Sequence, residues 1–140
     1  MRIGQATALL LVGIALGALL TAVAADARAA RRVFEIRTYT THDGRLDALH
    51  ARFRNHTMRL FEKHGMTNVA YWTPSDPALA RNTLVYVLVH PSREAAKRSW
   101  EAFLNDPEWK KVKADSEADG PIVAKVDSVF GDATDYSPLR

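Results

Sequence analysis

Thr83-Leu84-Val85-Tyr86-Val87-Leu88-Val89-His90 carries an unbroken apolar run from Leu84 to Val89, rich in β-branched residues and bounded by polar ends. Such a run is a strand. A strand in a sheet with one face in water alternates apolar and polar residues, and this one does not, so both of its faces need cover. Upstream, Met66 to Thr73 (MTNVAYWT) is a second strand, ended by Pro74-Ser75-Asp76-Pro77, which forbids continuation. The two form a hairpin with a long connection from about Pro74 to Asn82. Tyr71 and Trp72 point to opposite faces of their strand.

Working outward, Pro91-Ser92 opens a helix with Ser92 as N-cap and Glu94 in the first turn, where a negative charge suits the helix dipole. Ala95, Ala96, Ser99, Trp100, Phe103 and Leu104 make its expected buried face. Asn105-Asp106-Pro107 stops and restarts the chain, with Asp106 as N-cap and Pro107 at the first position of a short helix carrying Trp109 and Val112. Gly120-Pro121 ends that helix, and Ile122 to Phe130 supplies a further strand. Toward the N-terminus, Val33 to Thr40 (VFEIRTYT) alternates as a strand, placing Phe34, Ile36 and Thr38 on one face and Glu35, Arg37 and Tyr39 on the other. After the turn Thr41–Gly44, the residues Leu46, Leu49, Phe53, Thr57, Leu60, Phe61 and His64 recur at helical spacing. Arg45, Arg52, Arg54, Arg59 and Lys63 fall mostly off that stripe, and Gly65 follows as the C′ residue.

The order β-α-β-β-α-β defines an α+β, ferredoxin-like domain with a four-stranded antiparallel sheet. Both of its helices pack on one sheet face. The apolar residues on the other face then need a second copy, in a two-fold homodimer.

Residues 1–29 stand apart from this domain, which occupies residues 30–140. Met1-Arg2 precedes an uncharged Ala- and Leu-rich run from Ile3 to Ala25. Two A-x-A cleavage sites follow, at Ala25-Asp26-Ala27 and Ala27-Arg28-Ala29. That is the layout of a signal peptide, so the protein is expected to be exported to the periplasm or secreted. The alternative is an uncleaved anchor in residues 3–25, long enough to span a bilayer and then the chain's only membrane contact. No Cys is present, which excludes a disulfide framework. Losing residues 1–29 removes Arg2, Arg28 and Asp26 and lowers the net charge from +3 to +2, too little for a nucleic-acid footprint. Lys110, Lys111 and Lys113, flanked by Glu108, Asp115 and Glu117, form a solvated helix face.

The chain resembles the NIPSNAP family on a series of short pieces in a specific order: Phe34–Tyr39, Phe61–Gly65, Tyr71–Pro74, Leu84–Tyr86, Ser92–Ala96, Ser99-Trp100, Phe103, Asp106–Trp109 and Thr134–Pro138. The resemblance covers about residues 33–139. It implies a dimeric α+β barrel and no established reaction. Export departs from the mitochondrial and vesicular setting of the better-known members, so their cellular roles do not carry over.

Candidate chemistry is sparse. His64 lies on the apolar stripe at a helix C-terminus, where the dipole favours the protonated ring. It can serve as general acid/base or as a single axial haem or metal ligand, or simply cap the helix beside Gly65. His50, His56 and His64 lack the spacing of a protein metal site, and there is no phosphate loop or nucleophile elbow; no metal or cofactor is expected. Arg37 and Tyr39, on a strand face expected to point toward the partner sheet, can bind an anionic or polar ligand, Arg37 being the likelier clamp; the other reading is a Glu35–Arg37 ion pair. Trp72, Tyr86, Trp100 and Trp109 either line a cavity for a small hydrophobic ligand or pack the core. Asp135 and Tyr136 can close over a pocket, or belong to a tail strapped to the sheet. Two functions compete: a binding domain without catalysis, and a cofactor-independent monooxygenase or isomerase-like enzyme with His64 as acid/base.

Overall fold

A computed structural model describes residues 32–139; the expected signal segment 1–29 lies outside the described residues. Strands β1 (Val33–Thr41), β2 (Thr67–Trp72), β3 (Thr83–His90) and β4 (Val123–Asp132) form one sheet in the order β2-β3-β1-β4, every neighbouring pair antiparallel. Helix α1 joins β1 to β2 and runs through Leu46–Arg52, a π-helical turn Phe53–Thr57 and Met58–Lys63. Helices α2 (Arg93–Asn105) and α3 (Pro107–Ser116) join β3 to β4. This is the ferredoxin-like α+β arrangement expected from the sequence. None of the helices among the described residues is long and apolar enough to cross a membrane.

Local chemistry sets the joints. Ser92 accepts a hydrogen bond from the Ala95 amide and caps α2, and Asp106 accepts from the Glu108 amide with Pro107 at the start of α3. Gly65 holds φ at +77° where α1 ends, a conformation that favours glycine. The π-helical turn was not foreseen. Its widened ring is closed by the Met58 amide, which donates to the Phe53 carbonyl five residues back, and the Thr57 hydroxyl donates to the Arg52 carbonyl at 3.2 Å.

The apolar run of β3 divides between the two sheet faces. Leu84, Tyr86 and Leu88 are buried under the helices with Leu49, Phe53, Leu60 and Phe61 of α1, Phe103 of α2 and Trp109 of α3. Val85, Val87 and Val89 turn to the other face, where no described helix lies, beside Ile36 of β1, Trp72 of β2 and Val129 of β4. Ile36, Trp72 and Val129 are 46%, 45% and 65% exposed, so this face is an open apolar surface.

Three expectations about facing are corrected. Glu35, Arg37 and Tyr39 point toward the helices, not the open face. Tyr39 packs edge-on against Phe53 and Tyr86, and the two-residue period of the strand carries Glu35 and Arg37 inward with it. Arg52 is buried rather than off the stripe, its guanidinium 5.4 Å from the Trp109 ring and 3.0 Å from Glu117. Leu104 is exposed, because the packing of α2 ends on Phe103, whose ring lies 4.4 Å from Trp109.

Candidate functional site

A charged strand residue turned inward must find partners, because a buried unpaired carboxylate is costly. Glu35 finds four. Its Oε1 accepts from Arg37 Nη1 at 2.6 Å and Ser128 Oγ at 2.8 Å. Its Oε2 accepts from Trp100 Nε1 at 2.8 Å and His90 Nε2 at 2.9 Å. The donors come from β1, β4, α2 and β3, so one carboxylate ties three strands to a helix. Burial on its own raises the pKa of Glu35; the hydrogen bonds from His90, Trp100, Arg37 and Ser128 outweigh it and hold the carboxyl at about 2. An ionised carboxylate only accepts, so His90 carries its proton on Nε2. Its Nδ1 is buried without a hydrogen-bond partner among the described residues.

Arg37 is a half-buried cation of this cluster, its side chain 16% exposed. Its guanidinium lies 4.1 Å from the centroid of the Trp100 ring, latched from behind by Glu35. Arg37 and Trp100 help to line an open cleft of about 520 Å³ between the sheet and α2. Glu35 of β1 and Ser128 and Phe130 of β4 line it from the sheet, and Arg93, Glu94 and Lys97 line it from α2. Arg93 lies 3.7 Å over the Phe130 ring. The volume is within the ordinary range of small-molecule sites.

The other candidates lie elsewhere. His64, at the C-terminus of α1, gives its Nε2 to Asp106 Oδ2 at 2.7 Å, and Lys63 Nζ reaches the same oxygen at 2.7 Å. With Arg59 and Glu108 these residues clasp α1 to the start of α3, and hydrogen bonds from Lys63 and His64 hold the Asp106 carboxyl well below its ordinary value. His64 packs on Phe103 and does not line the cleft. Tyr86 is wholly buried, stacked on Tyr71 at 5.2 Å, and burial pushes its phenol well above the ordinary pKa. Tyr39 sits in the same aromatic cluster, Trp109 is in the core, and Trp72 is on the opposite sheet face. Of the expected pocket residues, Arg37 and Trp100 come together at the cleft; Tyr39, His64, Trp72 and Tyr86 do not line it. Tyr136 in the tail is 83% exposed. Among the described residues no group of three or more His, Cys, Asp or Glu is placed to hold a metal ion.

Sequence reasoning passed over Ser128, Arg93, Lys97 and Phe130 as site residues and placed His90 only at a strand end. One signal was present: antiparallel pairing of β1 with β3 sets Val33 opposite His90 and Glu35 opposite Leu88, so Glu35 and His90 share a face as diagonal neighbours.

Fold and site together define an α+β ferredoxin-like domain with an open cleft beneath its second helix. The family model for NIPSNAP matches residues 34–138, and the chain belongs to that family. Among solved structures, a NIPSNAP family protein of unknown function from Agrobacterium tumefaciens is 18% identical, with a TM-score of 0.68 over 79% of this chain and 96% of that one. An uncharacterized NIPSNAP-like domain protein from Burkholderia xenovorans is 16% identical, with a TM-score of 0.68 over 78% and 90% of the two chains. SnoaB, a cofactor-independent oxygenase from Streptomyces nogalater, is 16% identical, with a TM-score of 0.53 over 78% and 99%. At these identities the likeness is one of fold. No curated protein matches the chain significantly.

Proposed function

We propose that the protein is an exported ligand-binding domain that works as a homodimer, seating a small molecule in the Arg37–Trp100 cleft without catalysing a reaction on it. The observation that carries this is the latched guanidinium: Arg37 is fixed by Glu35 at 2.6 Å and by the Trp100 ring at 4.1 Å, on the wall of an open cleft. A cation held this way is pre-organised for an anionic group, so little ordering entropy opposes binding. The two faces of the sheet then have separate tasks. The helix side holds the ligand, and the apolar surface of Ile36, Val87, Trp72 and Val129 docks a second copy.

Native mass spectrometry of the purified protein tests the binding. A co-purified small molecule, lost in Arg37→Gln, is expected; retention of the molecule by that variant refutes the site. Light scattering tests assembly: a dimer is expected at micromolar concentration, and Val129→Asp, which puts a charge on the open face, should give a monomer. A wild-type monomer sinks the dimer. The competing function, a cofactor-independent oxygenase or isomerase with His64 as acid/base, has fold likeness to SnoaB behind it, but the His64 ring is committed to Asp106 outside the cleft.

A further inference from the structure

We infer that the cleft takes a flat conjugated monoanion, an aryl carboxylate, in preference to a fatty acid or an inorganic anion; this rests on the proposal that the cleft is the ligand site. The sign of the charge follows from which lining groups remain available. Glu35 is buried with both oxygens engaged by four donors, so it offers nothing to a ligand cation. Glu94 is held below its ordinary pKa by its own backbone N–H and the Ser92 hydroxyl, so it stays ionised and offsets one of the lining cations. Against these two carboxylates stand Arg37, Arg93 and Lys97, the last with only a loose 4.0 Å pairing to Glu101 on the helix surface, so the lining carries one net positive charge. The positive end of the α2 dipole adds to them.

The shape follows from how those cations are presented. Arg37 lies on Trp100 at 4.1 Å and Arg93 on Phe130 at 3.7 Å, so two guanidinium–ring pairs line one cleft. A guanidinium resting on a ring keeps its outer face for a second flat group, and an ammonium would not. A planar anion satisfies charge and stacking together. An inorganic anion leaves the rings unused, and an alkyl chain must lose its rotor freedom against surfaces it does not match.

Isothermal titration calorimetry on the full-length protein tests this with 2-naphthoate, neutral 2-naphthamide, decanoate and inorganic phosphate. The amide, decanoate and phosphate should each bind about tenfold or more weakly than 2-naphthoate, the scale of one lost charge-assisted contact. Phe130→Leu and Lys97→Gln, both outside the core cluster, should each weaken 2-naphthoate about threefold to fivefold. Decanoate or the amide binding as tightly as 2-naphthoate overturns the inference, and if Arg37→Gln abolishes that binding the cleft itself stands as the ligand site. Binding of 2-naphthoate that ignores Arg37→Gln, Phe130→Leu and Lys97→Gln alike overturns both. Failure of all four probes overturns the inference alone where a co-purified molecule is still lost in Arg37→Gln, and both where it is not.

Discussion

Two carboxylate–histidine pairs stand in this domain, and they differ in what surrounds them. Glu35 with His90 is enclosed: both side chains are buried, four donors meet on the carboxylate, and three strands and a helix depend on it. Asp106 with His64 sits at a joint between helices, where Lys63, Arg59 and Glu108 extend it into solvent. The same chemical pair therefore does different work. In the interior water cannot replace the donors on the Glu35 carboxylate, so the carboxylate sets the geometry of everything it touches, including the Arg37 guanidinium at the cleft. At the helix joint the second pair shares the Asp106 carboxylate with Lys63 and with the cap of α3, so the His64 contact does not hold the joint alone.

The sharpest way to break this contrast is Glu35→Ala. It leaves the His90 and Trp100 donors and the Arg37 charge unpaired in the interior, with an expected cost of about 3–5 kcal/mol. Thermal unfolding should show it as a drop of at least about 10 °C. A variant that melts within a few degrees of wild type would mean that water or rearranged partners replace the carboxylate. Ligand affinity should fall as well, since Arg37 loses its latch.

Acid titration separates the pairs by a second route. The folded-state pKa of Glu35 is about 2, below its ordinary 4.5, so its contribution is complete above about 4.5 and is lost as pH falls through 2. Urea midpoints of wild type should therefore decline between pH 4.5 and 2, and those of Glu35→Gln should decline less. The gap between the two proteins closes at the acid end. Parallel curves would assign the acid loss to other carboxylates, Asp106 among them, since it too is held below its ordinary value.

How much of this was legible follows from which signals are local. Ser92, Asp106-Pro107 and Gly65 announce helix ends within three or four residues, and each stands where the sequence placed it. The run Leu84–Val89 revealed an open apolar face because an unbroken run needs cover on both sides. Glu35 was harder. Alternation in β1 divides the strand into two faces without saying which is inner, and the face of Glu35, Arg37 and Tyr39 reads as one turned to a partner sheet until Tyr39 is seen packed on Phe53. Trp72 was assigned to a cavity on its size, yet register with Val85 puts it on the far face. The burial of Arg52 depends on Trp109 and Glu117, far along the chain, a contact no local pattern encodes. The cleft is legible least of all, since α2 and β4 bring Arg93 and Phe130 together from 37 positions apart in sequence.

Gly65→Ala sharpens the second pair. With φ at +77°, the substitution costs about 1–2 kcal/mol in backbone strain. The nearest atom to an added Cβ is Ser99 Oγ at 3.6 Å, an ordinary contact, so the cost belongs to the backbone and not to a clash. The melting temperature should fall by several degrees while ligand affinity stays at the wild-type level. A loss of affinity would show that the end of α1 and the cleft are coupled through α2.

The smallest effect is expected from His64→Gln, and it is the variant that decides between functions. Glutamine keeps a donor within reach of Asp106, and Lys63 at 2.7 Å from the same oxygen remains, so the joint between α1 and α3 should hold with little change in stability. Ligand binding should be unchanged, because the ring does not line the cleft. In an enzyme that uses His64 as its acid/base, the same substitution would remove turnover and leave folding intact. His90→Gln is the matched control at the interior pair: it disturbs the latch on Arg37 through Glu35 and should weaken binding. If the two variants exchange roles, with His64→Gln losing function and His90→Gln keeping it, the ranking of the two pairs is reversed and the Asp106–His64 pair is the working site.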